Sequence, residues 1–188
     1  MQAERRNYQG ELTPTTEELI RRAEATVRQI GQAKPVRVGG NLVGPGTREY
    51  LGSSYFADVE KNTWNHRSRQ PNDFSGLYVF FDIEEPMYVG ISRTVIRRLK
   101  QHLFSDKENQ ATLAFLIARV RFEEKYGAAH QGGRKSFPFK DNMEEVKSEI
   151  LSRWKFATVP LSGGYELAFT EIFVGSALGC RWNSFDTH

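Results

Sequence analysis

In the stretch GLYVFFDIEEPMYVG, Tyr78 and Tyr88 stand in two short apolar runs on either side of the residues Ile83, Glu84, Glu85 and Pro86. If Gly76–Asp82 and Met87–Gly90 pair as a hairpin whose register sets even-numbered positions opposite one another, both phenols project from one face of the sheet. A basic stretch, RTVIRRLKQHL, follows directly. At helical periodicity Val95, Leu99 and Leu103 form an apolar stripe, and Arg98 and His102 share an adjacent face. A planar guanidinium can clamp a phosphate, and an imidazole can move a proton or bind the phosphate. A solvated basic face is the other reading of the same pattern. Further along, Leu167, Val174 and Leu178 define the buried stripe of a helix expected over Tyr165–Leu178, with Gly179 placed to end it. Glu171 falls on that stripe and Glu166 off it. A carboxylate so placed is costly unless it is paired or bound to a cation. Glu171 is therefore either half of a buried ion pair or a metal ligand facing the hairpin.

The elements that would position these groups can be read along the chain. With 188 residues, 39% of them hydrophobic, the chain suits one core with decorations. Lys and Arg outnumber Asp and Glu by 26 to 23, a mild positive balance that permits a polyanionic partner without demanding one. The single Cys180 cannot form an internal disulfide, no apolar run approaches the ~20 residues of a membrane span, and the N-terminus lacks a secretory pattern. The chain reads as cytoplasmic. TPTTEEL is a good helix start, and Leu19, Ala23, Val27 and Ile30 carry helical spacing to about Gln32. KPVRVGGNLVGPGTREYLGSSYF suggests turns and small strands, and DVEKNTWNHRSRQPND a polar connection. After the hairpin, helices are expected near Thr94–Phe104, Gln110–Tyr126 and Asn142–Ser152, then a strand at KFATVPL and the final helix. This order predicts an α/β (α+β) fold, a small three-stranded antiparallel sheet flanked by helices. Residues 1–74 read as an N-terminal extension and 75–188 as the main domain, with an insertion at about 105–153.

Two glycine-rich stretches are set aside. GGNLVGPG has the wrong spacing for a dinucleotide loop and no strong helix after it. In GAAHQGGRKS a second glycine and Arg134 precede Lys135, and a charged helical segment replaces the buried strand that a P-loop needs. A basic loop is the better description.

The quoted residues resemble the GIY-YIG nuclease superfamily. Gly76-Leu77-Tyr78 and Tyr88-Val89-Gly90 correspond to its two tripeptides, with leucine and valine in place of isoleucine. Arg98 and His102 in the following helix, the later Glu171, and Asn183 occur in the family's order. The resemblance spans roughly Ser75 to Asn183, and its restriction enzymes in particular carry a functional asparagine at that place. It implies a single-metal phosphodiester hydrolase. Tyr78 would assist deprotonation of the attacking water, and Tyr88 would bind or polarise groups around the scissile phosphate. Arg98 would neutralise developing charge, and His102 would accept a proton or bind phosphate. Glu171 would hold one Mg²⁺, with Mn²⁺ as a substitute, and Asn183 would position water or phosphate. The glycines would allow close approach of backbone and substrate.

The implied partner is double-stranded DNA, with a homodimer on the DNA as one arrangement. Arg93, Arg97, Lys100, Arg134 and Lys135 are the candidates for a phosphate path. Because the chain runs only to His188, target recognition is expected from the N-terminal seventy or so residues, from the insertion, or from another protein. A stand-alone, restriction-type endonuclease is the leading reading. A repair or mobile-element nuclease, a binding module that keeps the fold without cleaving, and a structural protein whose tyrosines fill a core are the alternatives.

Overall fold

The computed structural model describes residues 13–39, 42, 73–128, 130, 131, 134–162 and 164–183. Most of the glycine-rich stretch after Gly39, and the polar connection before Asp73, lie outside the described residues. The elements run α1 (Thr16–Gln32), β1 (Val36–Arg37), β2 (Gly76–Asp82), β3 (Glu85–Ser92), α2 (Val95–Phe104), α3 (Thr112–Tyr126), α4 (Phe139–Arg153), β4 (Lys155–Pro160) and α5 (Tyr165–Leu178), with a 3-10 turn at Arg134–Ser136. The first helix opens on a reciprocal cap in which the Glu18 N–H donates to the Thr15 hydroxyl and the Thr15 N–H to the Glu18 carboxylate. α4 begins before the expected Asn142, because Pro138, at φ −72°, is already suited to lead the chain into a helix. The final helix has the expected bounds.

The sheet is antiparallel and has four strands rather than three, in the order β1-β4-β2-β3. The additional strand is short: Val36 pairs with Phe156 and Arg37 with Lys155. It lies in the stretch where small strands were expected, but a pair of residues is too short to show the period-2 alternation that would assign it to this sheet. Residues from the N-terminal segment thus form one edge of the sheet, and α1 packs on α5 and β4.

The β2–β3 hairpin carries the most consequential detail. Asp82 pairs with Glu85 and Phe81 with Pro86, so the turn is only Ile83-Glu84, tighter than the expected Ile83–Pro86. A tight turn in that register would pair even positions with odd ones and place Tyr78 and Tyr88 on opposite faces. The register shifts between Phe80 and Phe81, after which Phe80 faces Tyr88 and Tyr78 faces Gly90. This bulge puts both phenols on one side. There they join Phe80, Leu99, Leu103, Leu113 and Ile150 in a core covered by α2, α3 and α4. Leu77, Val79, Val89 and Ala157 point the other way, against Ile30 of α1 and Val174 of α5. Both faces are covered, which is why β2 reads as an unbroken apolar run.

Asp73 sets where α2 begins. Its carboxylate accepts N–H donors from Phe74 (2.8 Å), Ile96 (2.9 Å) and Arg97 (3.0 Å), and the Val95 N–H donates to the Phe74 carbonyl. Thr94, the residue at the N-cap position, makes no side-chain cap. The helix is therefore capped by a residue just ahead of the strand beneath it, which couples the start of β2 to the start of α2. Burial holds the Asp73 carboxyl above the ordinary range, against the lowering effect of the three backbone donors. At the far end, Lys147 from α4 donates to the Ser105 carbonyl (2.5 Å). Asp73→Ala is expected to lower stability by roughly 2–4 kcal/mol, because it strands several N–H donors at a buried helix start. Thr94→Ala should stay within about 0.5 kcal/mol of the parent. Urea unfolding of the two variants checks the contrast.

Candidate active site

The two phenols and His102 form the buried floor of the site. The Tyr78 Oη lies 2.7 Å from His102 Nε2, and the His102 ring centroid is 5.7 Å from that of Tyr78 and 5.4 Å from that of Tyr88. His102 is 0% exposed and Tyr78 is 1% exposed, so the pair lies inside the core. This burial does not suit His102 to direct phosphate contact. Gly90 makes room for the arrangement: a Cβ there would sit 2.3 Å from the Tyr78 Oη. At Gly76 the same atom would meet the Val159 carbonyl oxygen at 2.3 Å. Both glycines are thus needed by the protein's own packing, and neither shows the substrate approach expected of them.

Burial shapes the titration of every member. It pushes the Tyr78 phenol well above its ordinary 10.0, a rise that Tyr88 and Glu171 reinforce and Arg98 opposes. It raises Tyr88 also, with Arg98 opposing and Glu171 adding to the effect. His102 is held well below its ordinary 6.5 by burial and by the Arg98 charge, so its ring is neutral at physiological pH. The Leu113 N–H approaches His102 Nδ1 at 3.4 Å. With Nδ1 accepting, the neutral ring carries its hydrogen on Nε2 and donates it to Tyr78.

Arg98 and Glu171 complete the group from α2 and α5. The Arg98 guanidinium acts electrostatically on both phenols and on Glu171. Its Nη1 donates to the Gln110 carbonyl (2.8 Å) and its Nη2 to the Thr112 hydroxyl (3.2 Å). Glu171 is half-buried. Burial raises its carboxyl above the ordinary range, while Arg98 and the Ile91 N–H pull it down. Among the described residues no Lys or Arg nitrogen lies within 4.0 Å of its carboxylate, so it is not half of a close ion pair. Glu166 is the glutamate that sequence periodicity misplaced. Expected off the stripe, it is 9% exposed, accepts from the Ser162 hydroxyl and pairs with Arg22 at 3.6 Å. The reason is that α1 covers the flank of α5 on which Glu166 lies, a flank that a one-face stripe leaves to solvent.

Asn183 is near the group but differently employed. Its Oδ1 accepts the Val89 N–H (2.7 Å), its Nδ2 donates to the Val89 carbonyl (2.8 Å), and the adjoining Trp182 N–H donates to the Met87 carbonyl (2.9 Å). β3 is a sheet edge, and this tail satisfies part of it as a partner strand would. Asn183 holds in place the strand bearing Tyr88, and both ends of its amide are engaged by backbone. Among the candidates for a phosphate path, Arg93, Arg97, Arg134 and Lys135 are exposed, with the Arg134 guanidinium 4.5 Å over the Phe115 ring. Lys100 is a correction: it is 8% exposed, with a pKa lowered by burial and raised by Asp73, because its position on α2 faces inward.

Sequence reasoning missed Asp73, Gln110 and Thr112. A helix cap is sought next to the helix it caps, and Asp73 reaches α2 across the whole hairpin. Gln110 contributes a backbone carbonyl, which no side-chain pattern marks. Thr112 lies in the insertion and carries no motif.

Residues 74–158 match the family model described as the GIY-YIG catalytic domain. No curated protein matches the chain. Among solved structures, the chain is similar to the crystal structure of the GIY-YIG N-terminal endonuclease domain of UvrC from Thermotoga maritima bound to its catalytic divalent cation, magnesium. That similarity is 14% identity over 60% of this chain and 85% of the other, with a TM-score of 0.32. Tyr78, Tyr88, Arg98 and His102 lie within the matched segment, and Glu171 and Asn183 follow it. Over residues 74–158, then, the chain is matched by the GIY-YIG catalytic domain, the family that its hairpin, basic helix and buried phenols resemble.

Proposed function

We propose that this protein is a metal-dependent DNA endonuclease that hydrolyses phosphodiester bonds in double-stranded DNA, with restriction-type sequence specificity. The observation that carries the reading is the meeting of Tyr78, Tyr88, Arg98 and Glu171 in one group whose charges act on one another, in which Glu171 has no close ion-pair partner among the described residues. Among the described residues no group of three or more His, Cys, Asp or Glu side chains gathers as a metal cage. A single half-buried carboxylate nevertheless fits Mg²⁺, which keeps several waters and is commonly held by one or two carboxylates together with substrate phosphate. When bound, such a cation supplies Lewis-acid stabilisation of the phosphoryl oxygens.

In this reading Arg98 binds the scissile phosphate and stabilises the charge that develops on it. Tyr78 and Tyr88 orient the attacking water and the phosphate. Burial alone makes a Tyr78 phenolate costly, and Arg98 and the His102 Nε2–H are the groups that offset this cost. His102 therefore serves Tyr78 as a hydrogen-bond donor rather than as the acceptor of its proton. Glu171 raises both phenols; a cation held by its carboxylate would offset that effect. Asn183 keeps β3 and Tyr88 in register.

The two glutamates of α5 test the site. Glu171→Gln retains shape but loses the charge a cation requires, and plasmid cleavage in Mg²⁺ is expected to fall about 1000-fold, equivalent to ~4 kcal/mol, with the melting temperature kept. Glu166→Gln should lower the melting temperature and leave the cleavage rate unchanged. Discrete DNA fragments support sequence specificity; a Glu171→Gln protein cutting at the parental rate sinks the site. A second expectation concerns pH. Because folding depresses the His102 pKa below its ordinary 6.5, its contribution to stability is present above that pH and is lost as pH falls. The loss should grow as pH falls through and below that ordinary value. His102→Gln, which cannot titrate, should flatten the pH profile of urea unfolding between neutrality and mild acid.

A further inference from the structure

Arg98 is held by the turn that leads into α3. Besides the bonds from Nη1 to the Gln110 carbonyl (2.8 Å) and from Nη2 to the Thr112 hydroxyl (3.2 Å), Nη1 makes a long contact with Gln101 Oε1 (3.5 Å). The two shorter bonds fix two arms of a planar fork, which sets the direction of the N–H groups that remain. The turn is itself well tied. The Ser105 hydroxyl donates to Gln110 Oε1 (2.7 Å), and the Gln110 and Ala111 N–H groups donate to the Lys107 carbonyl at 3.0 and 2.9 Å. The Thr112 hydroxyl has a defined polarity, because it donates to the Asn109 carbonyl (3.4 Å) while accepting from Arg98. One residue further on, the Leu113 N–H addresses His102. A short segment of the insertion thus touches both α2 side chains of the site.

We infer that the turn from Gln110 to Thr112 is a positioning element of the active site, and that Thr112 is a positioning residue that aims the Arg98 guanidinium at the phosphate. The inference rests on the reading of Arg98 as a phosphate-binding catalytic residue. It assigns the α2–α3 connection a task inside the reaction in addition to any contact it makes with DNA. Because the turn and α3 are continuous, movement of α3 on DNA would be transmitted to Arg98 through these bonds.

The test compares Thr112→Val, which keeps shape and removes the acceptor, with Thr112→Ser, which restores it. Each is assayed for plasmid cleavage under single-turnover conditions, with binding of the same duplex measured separately. Thr112→Val should cut roughly 10-fold more slowly at saturating enzyme, since small misplacements of a catalytic group cost one to two orders of magnitude. DNA affinity and melting temperature should be unchanged, and Thr112→Ser should cut near the parental rate. In the Arg98→Ala background Thr112→Val should cause no additional loss, because the residue it aims is gone. NMR gives a readout independent of activity: slow rotation of the Arg98 guanidinium in the parent and in Thr112→Ser, and free rotation in Thr112→Val. If Arg98→Ala abolishes cleavage while Thr112→Val matches the parent in rate and in Arg98 rotation, the positioning inference fails and the catalytic reading stands. If Arg98→Ala cuts at the parental rate, the catalytic reading fails and the inference with it.

Discussion

The contact between the Tyr78 phenol and His102 Nε2, 2.7 Å long and lodged over the missing side chain of Gly90, is the joint on which the site depends. It joins the middle of the sheet to the last turn of α2 within the core. A buried polar pair of this kind is tolerated only when each partner satisfies the other. Several features of the surrounding fold meet this demand. Asp73 fixes the start of α2 relative to β2, Lys147 ties the helix's other end to α4, and Gly90 leaves the phenol the space it needs. Tyr78 and His102 are therefore held to one relative position by covalent geometry and packing, with little left to side-chain freedom.

Around that floor the charges are arranged asymmetrically. Arg98 favours anionic forms of both phenols and of Glu171, whereas Glu171 and burial disfavour the phenolates. Without a ligand the balance keeps the phenols neutral and leaves Glu171 only partly compensated. Glu166, one turn and a little earlier on the same helix, shows what a structural carboxylate looks like in this protein: it has a serine hydroxyl and an arginine, and it fastens α5 beneath α1.

The segment that carries α3 and α4 packs closely on the sheet and on α2. α3 and α4 cover the sheet face on which both tyrosines stand, and the turn before α3 supplies the acceptors that orient Arg98. Asn183 plays a comparable part from the opposite end of the chain by completing the β3 edge. Groups far apart in sequence thus constrain the strand and helix that carry Tyr78, Tyr88, Arg98 and His102.

Much of this was legible from residue types and spacing. The Val95, Leu99, Leu103 stripe, the shared face of Arg98 and His102, the bounds of the last helix and the apolar β2 all follow from periodicities of helix and strand, which are local properties of a chain. The same counting put Glu171 on the buried stripe, where it is half-buried, and Glu166 off it, where it is buried, because periodicity identifies one buried face and α1 covers a second. The common face of Tyr78 and Tyr88 was conditional in the sequence, since a tight Ile83-Glu84 turn alone would have separated them and only the register shift beyond Phe80 brings them together. Asp73 as the cap of α2, Lys100 turned inward, Asn183 spent on the Val89 backbone, and the Gln110 carbonyl on Arg98 were decided by tertiary structure alone. Sequence by itself determined which groups are available and one apolar face of each helix. Partners joined across long loops, and main-chain atoms used as ligands, leave no period or motif, so the assignment of each group to a partner is made only when the chain closes on itself.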